Sequence, residues 1–130
     1  MMEAELRALL TGHGALTALV PASRIVWNHL PQATPRPAIV LYRISGGPGL
    51  HMQGSDGLIN ARVQIDVQAT SVSSMWAIRD ALVSLLHGHR GNDFQAISLL
   101  SERQDSDQAA GGGGLIHRSS LDFDVWAASA

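Results

Sequence analysis

The clearest signal in the chain is a strict alternation between residues 59 and 69. Ile59, Ala61, Val63, Ile65, Val67 and Ala69 interleave with Asn60, Arg62, Gln64, Asp66 and Gln68. A period of two puts successive side chains on opposite faces, so the segment predicts a strand over 58–69 with one dry and one polar face. Burial of Ile59, Val63, Ile65 and Val67 contributes on the order of 6–12 kcal/mol before entropy is counted. A slip of one residue would expose all of them, which fixes the register. The last segment, Leu115 to Trp126, repeats the pattern, with Leu121, Phe123 and Val125 opposite Asp122 and Asp124. Ala38 to Ile44, rich in β-branched residues, and Phe94 to Glu102 read as further strands, and Ile25-Val26-Trp27 as a short one.

Elsewhere the period changes to that of a helix. Leu6, Leu9 and Leu10 share one face of a predicted helix over 3–11, with Glu3 and Glu5 in its first turn, where acidic groups suit the dipole. A short helical turn spans Ala15 to Val20 and ends at Pro21. Met75, Ile78, Leu82, Leu85 and Leu86 form the stripe of a helix over 72–87, with Ser71 or Ser73 as N-cap, and Gly88 and Gly91 stop it. Pro31 to Pro37 holds three prolines and predicts an extended connection. Two glycine-bearing segments, 46–57 and 105–114, read as loops, the second predicted to be mobile. The order α-(α)-β-β-β-α-β-β predicts an α+β domain over residues 1–130: a mostly antiparallel sheet of four to five strands with the helices on one face.

Composition narrows the function. At 130 residues, 45% hydrophobic and 15% charged, the chain can bury roughly two thirds of its unfolded surface as one domain. The low charged fraction leaves uncharged surface for partners. A net charge of −2 with no lysine argues against a basic nucleic-acid reader. Zero cysteines exclude disulfides, thiolate chemistry and Cys-ligated zinc. The first residues lack the pattern of a signal peptide, and no apolar stretch approaches the ~18 residues of a membrane span. Synthesis in the cytoplasm and no membrane contact are the expectations.

No catalytic constellation emerges. His87-Gly88-His89 supplies two ligands where a metal site needs three or four, and reads as a solvated helix end. His117, Ser119, Ser120, Asp122 and Asp124 are the letters of a hydrolase triad, but on one strand alternate residues point to opposite faces and do not converge. Gly111 to Gly114 open a strand rather than a helix and no lysine follows, so they are no phosphate loop. Asp122, Asp124 and Asp66 read as a polar sheet surface that Arg62 and Arg118 partly neutralise. Trp27, Trp76 and Trp126 read as core or interface anchors. No cofactor and no metal are expected.

Read in order, these segments resemble a family of phage and prophage tail terminator, or tail completion, proteins that also occurs in gene transfer agents. The resemblance rests on Leu6 to Leu10 with Ala15 to Val20, on Arg24-Ile25-Val26, and on Leu30-Pro31 followed by Pro37 to Val40. It rests further on Ala61 to Val67 followed by Ile78 to Leu82, and on the closing Leu121 to Val125. It implies a non-catalytic role: a ring, usually hexameric, on the head-proximal end of the tail tube. That ring stops tube polymerisation and docks to the head-side connector or stopper. Its partners would be further copies of itself, the major tail tube protein and that connector, with DNA passing through the lumen without sequence-specific binding. The protein would be made in the bacterial cytoplasm and end in the virion or virion-like particle, at the head–tail junction. The rival readings are a stopper, an adaptor or a tube subunit, and from another class a small ligand-binding domain or enzyme. The charged and polar positions of the strands and loops are the candidate assembly interface: Arg43, His51, Gln53, Asp56, Arg62, Asp66, Arg103, Asp105, Asp107, Arg118, Asp122 and Asp124. Loops 46–57 and 105–114 are expected to order on contact with a neighbour.

Overall fold

The computed structural model describes residues 2–128 apart from 32, 52–53, 92–93 and 109–113, and gives the backbone alone for 46–51, 54–58, 108 and 128. Helix α1 (Met2–Thr11) leads into a single turn, α2 (Gly14–Thr17), and a 3-10 turn, Ala22–Arg24. Strand β1 (Ile25–Trp27) follows, then β2 (Ala38–His51), β3 (Gly54–Ala69), helix α3 (Val72–Leu86), β4 (Phe94–Gln108) and β5 (Leu115–Ala128). The five strands form one sheet in the order β1-β2-β3-β5-β4. Only β1 and β2 run parallel; the other neighbours are antiparallel. The α+β class and the element order are those expected from the sequence.

Alternation builds the core. Ile39, Leu41, Ala61, Val63, Ile65, Val67, Ala69, Leu121, Phe123, Val125 and Ala127 occupy one sheet face and are all buried. Helix α3 lays Met75, Ile78, Leu82 and Leu86 on that face, while α1 adds Met2, Leu6 and Leu10. Ser71 caps α3 by accepting a hydrogen bond from the Ser74 N–H at 3.1 Å, which decides between the two expected caps. Arg7 ties α1 to the segment before β1, its guanidinium donating to Ile25 O at 2.9 Å and Ala22 O at 3.0 Å. The connection before β2 is not extended throughout: Thr34 N–H bonds back to Pro31 O, with Ala33 in the left-handed region at φ 68.

The largest departure from the sequence reading lies at 46–57. Residues 46–51 and 54–57 are strand: β2 continues to His51 and β3 starts at Gly54, paired as Gly46↔Ala61, Pro48↔Ile59 and His51↔Gly54, while 52–53 lie outside the described residues. Pro48 fits a strand here for a geometric reason. Leu41 directs its carbonyl away from β3, accepting from Asn28 N–H at 2.8 Å. Leu41 and Pro48 face Ile65 and Ile59, which belong to the same alternate set of β3, so the nitrogen of Pro48 also faces away from β3. Beyond Leu41 no strand among the described residues pairs with that side of β2, and the missing N–H costs no ladder bond. The segment 105–114 departs likewise. Asp105 to Gln108 extend β4 and pair with Leu115 to Arg118; residues 109–113 lie outside the described ones.

Candidate functional site

The helices cover one sheet face, and among the described residues none lies on the other. Strand pairing places eight of the twelve candidate interface residues on that second face. Asp66, Ser120 and Arg103 share one row, Gln64 and Asp122 the next, and Arg62 and Asp124 the one after. Asp105 lies opposite Arg118, with Asp107 two residues further along β4 on the same face. Arg43 does not join them. It falls on the helix-covered face and donates to Glu3 of α1 at 3.0 Å, so it is a clamp between β2 and α1. His51 and Asp56 belong to the β2–β3 hairpin, and their side chains, like all of Gln53, lie outside the described residues.

Short contacts tie this open face together. Asp122 accepts from Ser101 Oγ at 3.2 Å and pairs with Arg103 at 3.5 Å. Asp124 accepts from Asn60 at 2.8 Å, and Asp66, only 6% exposed, from Gln64 at 2.9 Å. Arg118 pairs with Asp105 at 3.3 Å and Asp107 at 3.8 Å. The expected neutralisation of Asp66, Asp122 and Asp124 by Arg62 and Arg118 is therefore corrected: Asp122 pairs with Arg103, while Asp66 and Asp124 accept from the neutral amides of Gln64 on the same strand and Asn60 on the adjacent one. At one end Arg36 reaches onto the face and donates twice to Gln68 Oε1, at 3.0 and 2.9 Å. Burial pushes the Tyr42 phenol up, Asp66 pushes it further and Arg118 opposes both, so the phenol stays protonated at neutral pH.

A second polar cluster joins α3 to β4 on the covered face. Glu102 accepts from Ser119 Oγ at 2.7 Å, Gln104 Nε2 at 2.8 Å and Arg79 at 3.4 Å, while Gln104 Oε1 takes the Trp76 indole N–H at 3.3 Å. Arg79 stands off the apolar stripe of α3, and the sequence does not reveal this link, because a residue three positions from a core leucine gives no sign of its cross-element partner. Burial raises the Glu102 carboxyl, but the hydrogen bonds from Gln104 and Ser119 and the Arg79 charge outweigh it and hold it below its ordinary 4.5. A depressed carboxyl stabilises the fold fully above its unfolded value and stops doing so as pH falls through the folded one. The melting-temperature gap between wild type and Glu102→Gln is thus expected to stay constant above about pH 5.5 and to shrink steadily below pH 4.5. Thermal melts from pH 7 to pH 3 check this, and a gap that is unchanged at pH 3 would refute it.

None of these groups forms a reaction centre. His117 and Ser119 lie on the covered face, and Ser120, Asp122 and Asp124 on the open one, so the triad letters diverge. His117 Nδ1 sits 2.8 Å from Ser106 Oγ. His87 Nδ1 accepts the Leu99 N–H at 3.0 Å and is a strand-edge cap rather than a solvated end. Among the described residues no group of three His, Asp or Glu could hold a metal ion, and no helix is long and apolar enough to cross a membrane. Trp27 is an anchor, its N–H donating to Glu3 O at 2.9 Å, whereas Trp76 is 47% exposed.

The comparisons with known proteins agree with a structural reading. The model of the family described as tail completion protein gp17 matches residues 4–128. In fold, the protein is similar to a chain in the solved virion of a native gene transfer agent particle, with a TM-score of 0.72 and 16% identity over 98% of this chain and 94% of that one. No curated protein matches the chain in sequence. With the family model covering nearly its whole length, the chain belongs to the tail completion protein gp17 family, a family of structural phage tail proteins and not of enzymes.

Proposed function

We propose that the protein forms a closed ring of six copies on the head-proximal end of the tail tube. There it stops tube polymerisation and offers the surface that docks to the head-side connector or stopper. The observation that carries the reading is the family match over residues 4–128 in a chain whose sheet keeps one face free of helices. The fold likeness to a virion chain supports it. A ring needs two different surfaces on each copy that fit one another. The open face and the two sides of the sheet provide surfaces of that kind. The acidic excess on the open face, five aspartates against Arg62, Arg103 and Arg118, and the absence of lysine suit a lumen through which DNA moves, since a strongly basic wall would retain the phosphates. Synthesis in the bacterial cytoplasm followed by incorporation at the head–tail junction completes the reading.

The test is the native mass of the protein, alone and with its tube protein, together with tube lengths in electron micrographs. A discrete six-fold species and shorter, capped tubes are expected. Open-ended filaments of the protein alone would make it a tube subunit. A strict monomer that leaves tubes unaltered would make it a stopper or adaptor.

A further inference from the structure

The sheet has two outer sides, and each is closed along half its length. On the β2 side, β1 pairs with Ile39 to Leu41, and from Tyr42 onward no described strand follows. On the β4 side, the residues after α3 close the first half. Gly88 N–H donates to Ile97 O at 2.7 Å, Ile97 N–H to His89 O at 3.2 Å, and Leu99 N–H to His87 Nδ1. Past Leu100, which a bulge leaves 47% exposed, no described strand pairs with the outer side of β4 as far as Gln108.

Backbone direction along that open half follows from the pairing. Ile97 directs its N–H and C=O outward and faces Val125 of β5. Glu102, Gln104 and Ser106 face Leu121, Ser119 and His117, the same alternate set, so they too present N–H and C=O outward. A run of unpaired backbone groups is a template for another strand. The usual protections are missing: residues 101–108 contain no proline, no lysine and no bulge. What they do contain is acid, Glu102, Asp105 and Asp107 against Arg103. Acid does not seal an edge against every strand; it selects one that is not acidic. The open half of β2 meets that condition, since Tyr42 to Gly47 carries Arg43 and no acid, and its exposed Ile44 matches Leu100 and Trp76 in apolar character.

We propose that the open half of β4 takes up the open half of β2 from a second copy as an added antiparallel strand, and that this is the contact joining neighbours in the ring. The inference rests on the ring reading above and names its interface. The two edges lie on opposite sides of one sheet, so each copy offers both and the contact is heterologous, as a ring demands. Strand directions agree, since β4 runs antiparallel to β2 within the chain; the open half of β2 lies toward the β2–β3 end of the sheet and that of β4 toward the opposite end, so the neighbour is staggered along the strands, the kind of shear by which a sheet closes on itself.

The test removes single backbone donors. Ser106→Pro deletes an outward N–H of β4, and Ser106→Ala keeps it while losing the same hydroxyl contact with His117. Gly46→Pro and Gly46→Ala form the matching pair on β2, where Gly46 faces Ala61 and also directs its N–H outward. The two alanine variants are expected to keep the native mass of the wild-type ring, and the two proline variants to fall to single 13.8 kDa chains with wild-type circular dichroism. Rings that survive Ser106→Pro would overturn the interface while leaving the capping reading intact. Rings lost with Ser106→Pro but kept with Gly46→Pro would show that β4 binds a strand other than β2, which overturns the choice of occupant. Wild-type protein that never assembles, with or without tube protein, would overturn both.

Discussion

Replacement of Phe123 by alanine is expected to remove about 3–5 kcal/mol of stability, a large fraction of the about 5–15 kcal/mol that a folded domain possesses. Phe123 lies in the interior of the sheet, on β5 between β3 and β4, facing Val63 on one side and Leu99 on the other. It is 1% exposed and among the largest side chains that are fully buried. Its direct cross-strand neighbours, Val63 and Leu99, have short side chains that cannot move far enough to refill the space. The loss therefore combines transfer of the ring to water with a cavity that stays open. Equilibrium urea unfolding at pH 7 would read it as a fall in midpoint at nearly constant slope, and a thermal scan as a drop of roughly 10–25 °C. A change below about 1 kcal/mol would mean that the two layers close over the gap and that the core is looser than its burial indicates.

Such positions are legible in the sequence because their signal is periodic. Ala61 to Ala69 and Leu121 to Val125 fit only strands with one buried face, and the Met75, Ile78, Leu82 stripe fits only a helix laid upon it. The departures share a physical cause. Gly46, Gly47, Pro48 and Gly49 look like a loop because glycine and proline disfavour paired strands, yet on an open edge the proline nitrogen has no partner to lose and the glycines have no side chain to pack. Asp105 and Asp107 look like loop residues because they are acidic and lead toward a glycine run, yet their backbone pairs with β5 and their carboxylates flank Arg118. Of the candidate interface, period two suffices to bring Arg62, Asp66, Asp122 and Asp124 to one face. It cannot reveal that Arg43, beyond the same alternation, turns to α1, because Glu3 lies forty residues earlier in the chain. Nor can it show which halves of the edges stay open, since that depends on where β1 and the residues after α3 come to rest.

Leu82→Ala is the second large effect, expected at about 2–5 kcal/mol. Leu82 is fully buried in the centre of the α3 stripe, between Ile78 and Leu86, where the helix packs on β3, β5 and β4. Its consequence should extend beyond the lost contacts. Arg79 sits one turn earlier on α3 and reaches Glu102 across the gap to β4, and Trp76, a further turn back, reaches Gln104. Those polar contacts hold only while the apolar stripe keeps α3 seated, because a charge-assisted bond at 3.4 Å weakens steeply with any added distance. Truncating Leu82 should therefore loosen the same network that Glu102→Gln removes. The double variant is expected to lose less stability than the two single losses together, with a coupling of about 0.5–1.5 kcal/mol. The acid-side dependence on Glu102 should flatten in Leu82→Ala, since a carboxyl freed from Arg79 titrates closer to its ordinary value. Full additivity, with an unchanged acid-side dependence, would mean that Ile78 and Leu86 seat the helix without Leu82, and that the polar link to β4 is independent of the core beneath it.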